Sequence, residues 1–150
     1  MRNMEQFIEQ MKSLGDGTRI KMIHLMMEAK QNLCVCEIMD AIQDSHSNIS
    51  RHLKILRAAG LVKEKKEGKW AYFSLADPDS PFHRNLLQAV RNMPAENFAD
   101  DMERLILRLS LREGGKCVDG LKSRKWMAAL KLIRAESLNR YSKKQERNRR

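Results

Sequence analysis

The sequence predicts a mainly α fold carrying one β-hairpin, and three observations support this. Apolar residues recur at helical spacing from Met4 to Leu56, the pattern turns strand-like between Leu61 and Leu75, and helical spacing returns after Pro81. Met4, Phe7, Ile8, Met11 and Leu14 form a first amphipathic helix, broken at Gly15-Asp16-Gly17. Asp16 or Thr18 is placed to cap a second helix, which carries Ile20, Ile23, Met26 and Met27. A short third helix spans 36–42 and turns Ile38, Ala41 and Ile42 inward. The fourth starts near Ser45 or Ser47, whose hydroxyls meet free amides. It buries Ile49, Leu53 and Leu56 and stops at Gly60.

Leu61-Val62 and Ala71-Tyr72-Phe73-Ser74-Leu75 then read as two strands joined through Glu67-Gly68-Lys69. Asp77-Pro78-Asp79-Ser80-Pro81 ends the hairpin. Two more helices are expected near 82–91 and 95–112, with Pro94 between them. Phe82, Leu86, Leu87 and Val90, with a seam at Met102, Leu105, Ile106 and Leu109, read as dimer packing. Gly114-Gly115 marks a joint. A helix over 121–138 follows, with Trp126, Ala129, Leu130 and Ile133 as its apolar face, before a polar, basic end.

The chain has 150 residues with 42% hydrophobic content, which suits one compact unit over 1–112 and a basic C-terminal extension over 113–150. No apolar run approaches the ~20 residues that cross a bilayer. Met1-Arg2-Asn3-Met4-Glu5 leads into an amphipathic segment, which argues against a secretory signal. Three cysteines are too few for a disulfide scaffold and suit reduced thiols in a cytoplasmic protein. Charge is unevenly spread. Residues 50–69 hold seven Lys/Arg against two Asp/Glu, and residues 112–150 hold thirteen against four, while the rest of the chain is mildly acidic. Such focused positive charge suits a polyanion, most simply nucleic acid; a solvated face has the same composition.

Helices followed by a basic hairpin describe a winged helix-turn-helix. With Ile49, Leu53 and Leu56 on the core, the fourth helix presents Ser47, Asn48, Arg51 and Lys54 outward, with His46 and His52 near its start. Short hydroxyl and amide groups permit close approach to base edges, and Arg and Lys meet phosphates or guanine. The hairpin adds Lys63, Lys65, Lys66 and Lys69, placed to grip adjacent backbone. The competing reading is a solvated basic helix beside an ordinary hairpin.

Three strings carry a family resemblance: Lys12-Ser13-Leu14-Gly15-Asp16-Gly17-Thr18-Arg19; Leu33-Cys34-Val35-Cys36-Glu37-Ile38; and Asn48-Ile49-Ser50-Arg51-His52-Leu53-Lys54-Ile55-Leu56-Arg57-Ala58-Ala59-Gly60-Leu61-Val62. With Glu67-Gly68-Lys69-Trp70 at the wing tip, residues 12–75 resemble the arsenical-resistance repressor (ArsR/SmtB) family of bacterial metal-sensing transcription factors. The resemblance implies a homodimer that represses an operon by binding double-stranded operator DNA until a metal or metalloid releases it. It also brings Ser50 into the reading helix.

Cys34-Val35-Cys36 is the chemical centre of the sequence, because thiolates select soft, thiophilic ions. On a regular helix, residues two apart point to different sides, at ~100° per residue, so both sulfurs reach one ion only where the backbone is extended or distorted. The resemblance implies As(III) as the effector, with Sb(III) as a close alternative. A third cysteine, often three residues after the second in arsenic-sensing relatives, is here Met39. Trivalent arsenic prefers three sulfurs in that family, and the only other thiol is Cys117, to be supplied by its own chain or the partner's. Plain alternatives are buried thiols without a ligand role, a free surface Cys117, and a pair completed by water or a small thiol.

His24 reads as packing, and His83 stands alone in 82–112, where relatives place a zinc site of several His and carboxylates. Met4, Met11, Met22, Met26 and Met27 read as deformable core. No Walker loop, dinucleotide fingerprint or metalloprotease His pair is present, so an enzyme has no support. The alternatives to an arsenic-released repressor are a Cd(II)- or Pb(II)-responsive repressor of the same fold and a redox-responsive general nucleic-acid-binding module.

Overall fold

The computed structural model describes residues 3–120 and 122–149; Met1, Arg2 and Leu121, on which the N-terminal reading and the expected start of the tail helix fall, lie outside them. Helix α1 (Met4–Ser13) is opened by a capping box in which Asn3 accepts from the Gln6 N–H and Gln6 returns its side chain to the Asn3 N–H, both at 3.0 Å. Helix α2 (Gly17–Ala29) is capped by Asp16, which accepts from the Arg19 N–H, and ends on Lys30 in the left-handed region. Strand β1 (Leu33–Cys34) leads into α3 (Val35–Ile42), and Gln43, at φ 62°, turns the chain toward α4 (His46–Ala58), capped by Ser45. Helices α3 and α4 are the helix-turn-helix.

The wing is β2 (Val62–Glu67) and β3 (Trp70–Leu75), turning at Gly68 with φ 58°. β3 is the centre of a three-stranded antiparallel sheet in the order β1-β3-β2, with Leu33 opposite Phe73 and Cys34 opposite Tyr72. Then come α5 (Pro81–Arg91), a 3-10 turn over Ala95–Phe98, α6 (Ala99–Leu109) and the long α7 (Arg124–Asn148). The mainly α winged helix-turn-helix expected from the sequence is the fold observed. Among the described residues, no helix is long and apolar enough to cross a membrane.

One core joins the elements from α2 to α6, built on Met22, Ile23, Leu33, Ile38, Leu61 and Leu105. Ile49, Leu53 and Leu56 of α4 are buried in it. Each such side chain contributes about 1.5–3 kcal/mol, enough to fix the rotational setting of α4 and hence which side chains face out.

Several expectations change. The first wing strand continues to Glu67 through Lys-Glu-Lys-Lys, residues with no apolar alternation, because cross-strand backbone bonds to β3 hold it. β1 is too short for a period to register. The tail helix runs to Asn148, ten residues past the expected end at 138. Helix 95–112 divides into the 3-10 turn and α6 and stops at Leu109. Within the chain Val90 is buried, Leu87 lies against the core and Phe82 meets Phe7 edge-on at 5.0 Å, while Phe82, Leu86 and Leu87 stay half-buried. Met4 and Met11 are exposed, with Ile8 beside them, so only Met22, Met26 and Met27 of the methionine stripe are core.

Candidate functional site

Cys34 ends β1 and is the N-cap of α3, at φ −80° and ψ 157°, so its backbone is extended while Cys36 is already helical. That change of conformation brings together two sulfurs that a regular helix would separate. The Sγ atoms lie 2.6 Å apart. Cys117 comes from the segment after α6, 3.2 Å from Cys34 and 3.6 Å from Cys36. All three thiols belong to one chain and are free. Cys34 and Cys117 are buried and Cys36 is partly open.

Packing of α6 against α3 places Cys117. Just past α6, Glu113 and Lys116 pair across Gly114 and Gly115, both at positive φ, in a tight reversal that needs glycine. The Cys117 N–H then donates to Tyr72 Oη at 3.1 Å. Arg108, 1% exposed, donates to the Asp119 and Gly120 carbonyls at 2.6 and 3.1 Å and to Asp40 at 2.9 Å. One turn on, Arg112 donates to both oxygens of buried Glu37, at 2.6 and 2.7 Å, and to the Asn32 carbonyl. Glu37 in turn accepts from the Cys34 N–H at 2.9 Å. The thiol group is therefore held between two buried Arg–carboxylate pairs.

These neighbours distribute its protons unequally. The Cys117 thiol is pushed well down by S–H donation from Cys34 and then Cys36, helped by the charges of Arg108 and Arg112. Cys34 is pushed up because it donates to Cys117 and Cys36, is buried and sits beside Glu37. Cys36 is also raised, first by its bond to Cys117. Of the three, Cys117 is the sulfur its neighbours favour as thiolate. Among the described residues the group is the one set of three or more His, Cys, Asp or Glu whose ligand atoms lie close enough to share an ion. A metal–thiolate bond is ~2.3 Å, so an ion on three sulfurs needs separations of roughly 3.5–4 Å. Two edges are near that, and the third must open. The donor set suits a soft ion. Met39 lies elsewhere, in the main core.

The second surface is α4 and the wing. His46, Ser47, Asn48, Arg51 and Lys54 are exposed on α4, with Ser50 half-buried. His52 departs from its expected place: it is buried, its Nδ1 3.0 Å from the Arg19 guanidinium and 3.9 Å from Asp16, so it joins α4 to the start of α2. Burial pushes its pKa down. Lys63, Lys65, Lys66 and Lys69 are exposed on the wing, with Lys65 paired to Glu67 at 3.1 Å and Lys69 over the Trp70 ring at 5.0 Å. Arg57 bonds Glu64 and fastens the wing to α4. His24 stacks on Phe98, rings 3.8 Å apart, a packing role.

Sequence reasoning missed Glu37, Tyr72, Arg108 and Arg112. The available signal was Arg108 and Arg112 at i, i+4, two cations sharing a helix face with apolar neighbours. Residues 16–64 match the model for bacterial regulatory proteins of the arsR family. The chain is similar to the arsenic resistance transcriptional regulator ArsR2 of Pseudomonas putida, 38% identical over 63% of this chain and 81% of that protein. It is also similar to a cadmium resistance transcriptional regulatory protein CadC homolog of Staphylococcus aureus, 39% identical over 44% of this chain and 54% of that one. Among solved structures, HlyU from Vibrio cholerae superposes with a TM-score of 0.52 at 22% identity, covering 61% of this chain and 95% of HlyU, a likeness of fold.

Proposed function

Because this chain belongs to the arsR family of bacterial regulatory proteins, we propose that it is a cytoplasmic, homodimeric repressor released from operator DNA by As(III) held on Cys34, Cys36 and Cys117. The observation that carries this reading is the meeting of three sulfurs of one chain, within 3.6 Å, at the first residue of the helix-turn-helix. Sb(III) shares the same donor preference. Residues 1–112 carry DNA binding and dimerisation, with Ile106 of α6 and Met4, Ile8 and Met11 of α1 as exposed apolar residues available to a partner. Residues 113–150 supply the third sulfur.

The bound ion supplies a strong crosslink between three points of the chain. Everything else is work by the protein. Cys34 is the last residue of β1 and the cap of α3, so opening the Cys34–Cys36 edge to admit an ion shifts the start of α3 relative to the sheet. α3 is packed against α4, whose buried stripe admits few alternative settings. A shift of α3 therefore re-aims His46, Ser47, Asn48, Ser50, Arg51 and Lys54, and a dimer reading two half-sites loses register in both. A coupling of about 1–3 kcal/mol weakens the operator complex roughly 5–150-fold.

The test is fluorescence anisotropy of an operator duplex titrated with arsenite. C34S, C36S and C117S should bind the operator like the parent chain and resist release. Release surviving in C34S/C36S would falsify this site. The second reading, release by Cd(II) or Pb(II), is favoured by the same sulfur set and by the similarity to the CadC homolog. The same titration with cadmium decides between them, and peroxide in place of metal tests the redox-responsive alternative.

A further inference from the structure

Helix α7 takes no part in the mechanism above, yet it is firmly seated. Ser123 caps it, accepting from the Trp126 N–H at 3.1 Å, and Trp126 and Leu130 are buried. These two side chains and Arg134 share a hollow with Met39, Asp44 and Ser45, the approach to α4. The base of α7 thus lies over the turn of the helix-turn-helix, next to the exposed start of the reading helix. Arg108 fixes the strap leading into it through the Asp119 and Gly120 carbonyls.

Beyond that seat the helix changes character. Every side chain described from Arg134 to Arg149 is exposed. From Arg134 to Asn148 the helix carries five Lys/Arg against two Glu. Its exposed leucines, Leu132 and Leu138, lie six residues apart, roughly 240° around the helix, and share no face. Past Leu138 the chain reads Asn-Arg-Tyr-Ser-Lys-Lys-Gln-Glu-Arg-Asn, with no apolar residue repeating at three- or four-residue spacing. Such a surface offers nothing to an apolar groove or a helical seam, and its charge complements a polyanion.

We propose that α7 is a second DNA-binding element, whose cations, Lys143, Lys144 and Arg147 among them, meet phosphates flanking the sequence that α4 reads. The proposal rests on the operator-binding reading above. From Arg134 to Asn148 the helix spans roughly 22 Å, the length of about six base pairs at ~3.4 Å each. It reads no bases; its contribution is the release of counterions, about 0.9 in the slope of log K against log salt for each phosphate neutralised.

The experiment uses the full chain and a palindromic duplex enriched from a random pool, prepared with short and with long flanks. K143Q/K144Q/R147Q keeps good helix formers and removes three charges. On long flanks the triple variant should bind more weakly by at least tenfold and lose roughly two to three from the salt slope for each chain of the dimer, about five in all, equally for specific and mismatched sites. On short flanks parent and variant should agree. An unchanged slope on long flanks overturns the proposal. So does a change of sedimentation mass in the variant, which would assign the helix to contacts between copies of the chain. A parent chain that prefers no duplex overturns the operator reading itself, a separately recognisable failure.

Discussion

The hydroxyl of Tyr72 accepts a hydrogen bond from the backbone N–H of Cys117 at 3.1 Å, while Tyr72 itself lies opposite Cys34 in the sheet. One side chain therefore gauges the distance between the two halves of the sulfur triangle, 83 residues apart in the chain. A neutral hydrogen bond of this kind contributes about 0.5–1.5 kcal/mol. Y72F should weaken arsenite binding by roughly two- to tenfold and leave operator affinity alone. Competition between the protein and a dithiol chelator measures it; equal affinity for Y72F and parent would mean that Cys117 is placed without Tyr72.

Arg108 and Asp40 form a buried pair that ties α6 to α3. Burial pushes the Asp40 carboxyl up, and Arg108 opposes that shift. R108M removes the compensating charge and should cost about 3–5 kcal/mol of unfolding free energy. D40N added to R108M should recover part of the loss, since it removes the stranded charge. Urea denaturation of the two variants decides it, and a double variant no more stable than R108M would count against an electrostatic origin.

With Cys117 pushed toward thiolate and Cys34 and Cys36 held as thiols, the two candidate effectors have opposite pH dependence. Arsenous acid, As(OH)3, reacts with two thiols, one thiolate and one proton to give the tris-thiolate and three waters, so a proton is taken up. A divalent cation on the same three sulfurs releases two protons. Each unit of pH above neutrality should thus weaken arsenite binding about tenfold and strengthen cadmium binding about a hundredfold. Calorimetry in buffers of different ionisation enthalpy reads the proton count directly; no net proton exchange with arsenite would show that all three thiols rest protonated and that Cys117 does not carry a resting charge.

Both His52 and His24 are pushed below the ordinary histidine range, in each case chiefly by burial. The folded chain keeps them neutral at pH values where the unfolded chain protonates them. The unfolded state then binds more protons, so stability is full above about pH 6.5 and falls as pH drops below it. H52Q should flatten that fall. Denaturation midpoints followed downward from neutral pH test it, and an identical profile in H52Q would remove His52 as a source.

Much of this protein is legible in its residues. The helical stripes, the caps at Asp16 and Ser45, the turn at Gly68 and the placing of Ile49, Leu53 and Leu56 beneath an exposed polar face follow from local periodicity and capping chemistry, which act over a few residues. Cys34-Val35-Cys36 offers two soft donors by its composition, and the family resemblance is what pointed them toward an ion. Only tertiary structure decided the rest. Whether Cys117 comes near that pair depends on α6 packing against α3 and on Arg108, Arg112 and Tyr72, contacts 45 to 81 residues apart that leave no periodic trace. His52 stands among polar residues, but its spacing from Ile49, Leu53 and Leu56 puts it on the buried stripe; what only the packing of α2 decided is that Arg19 holds its ring there. Short-range order is written in neighbouring side chains; a site assembled across the core depends on how whole elements settle against one another.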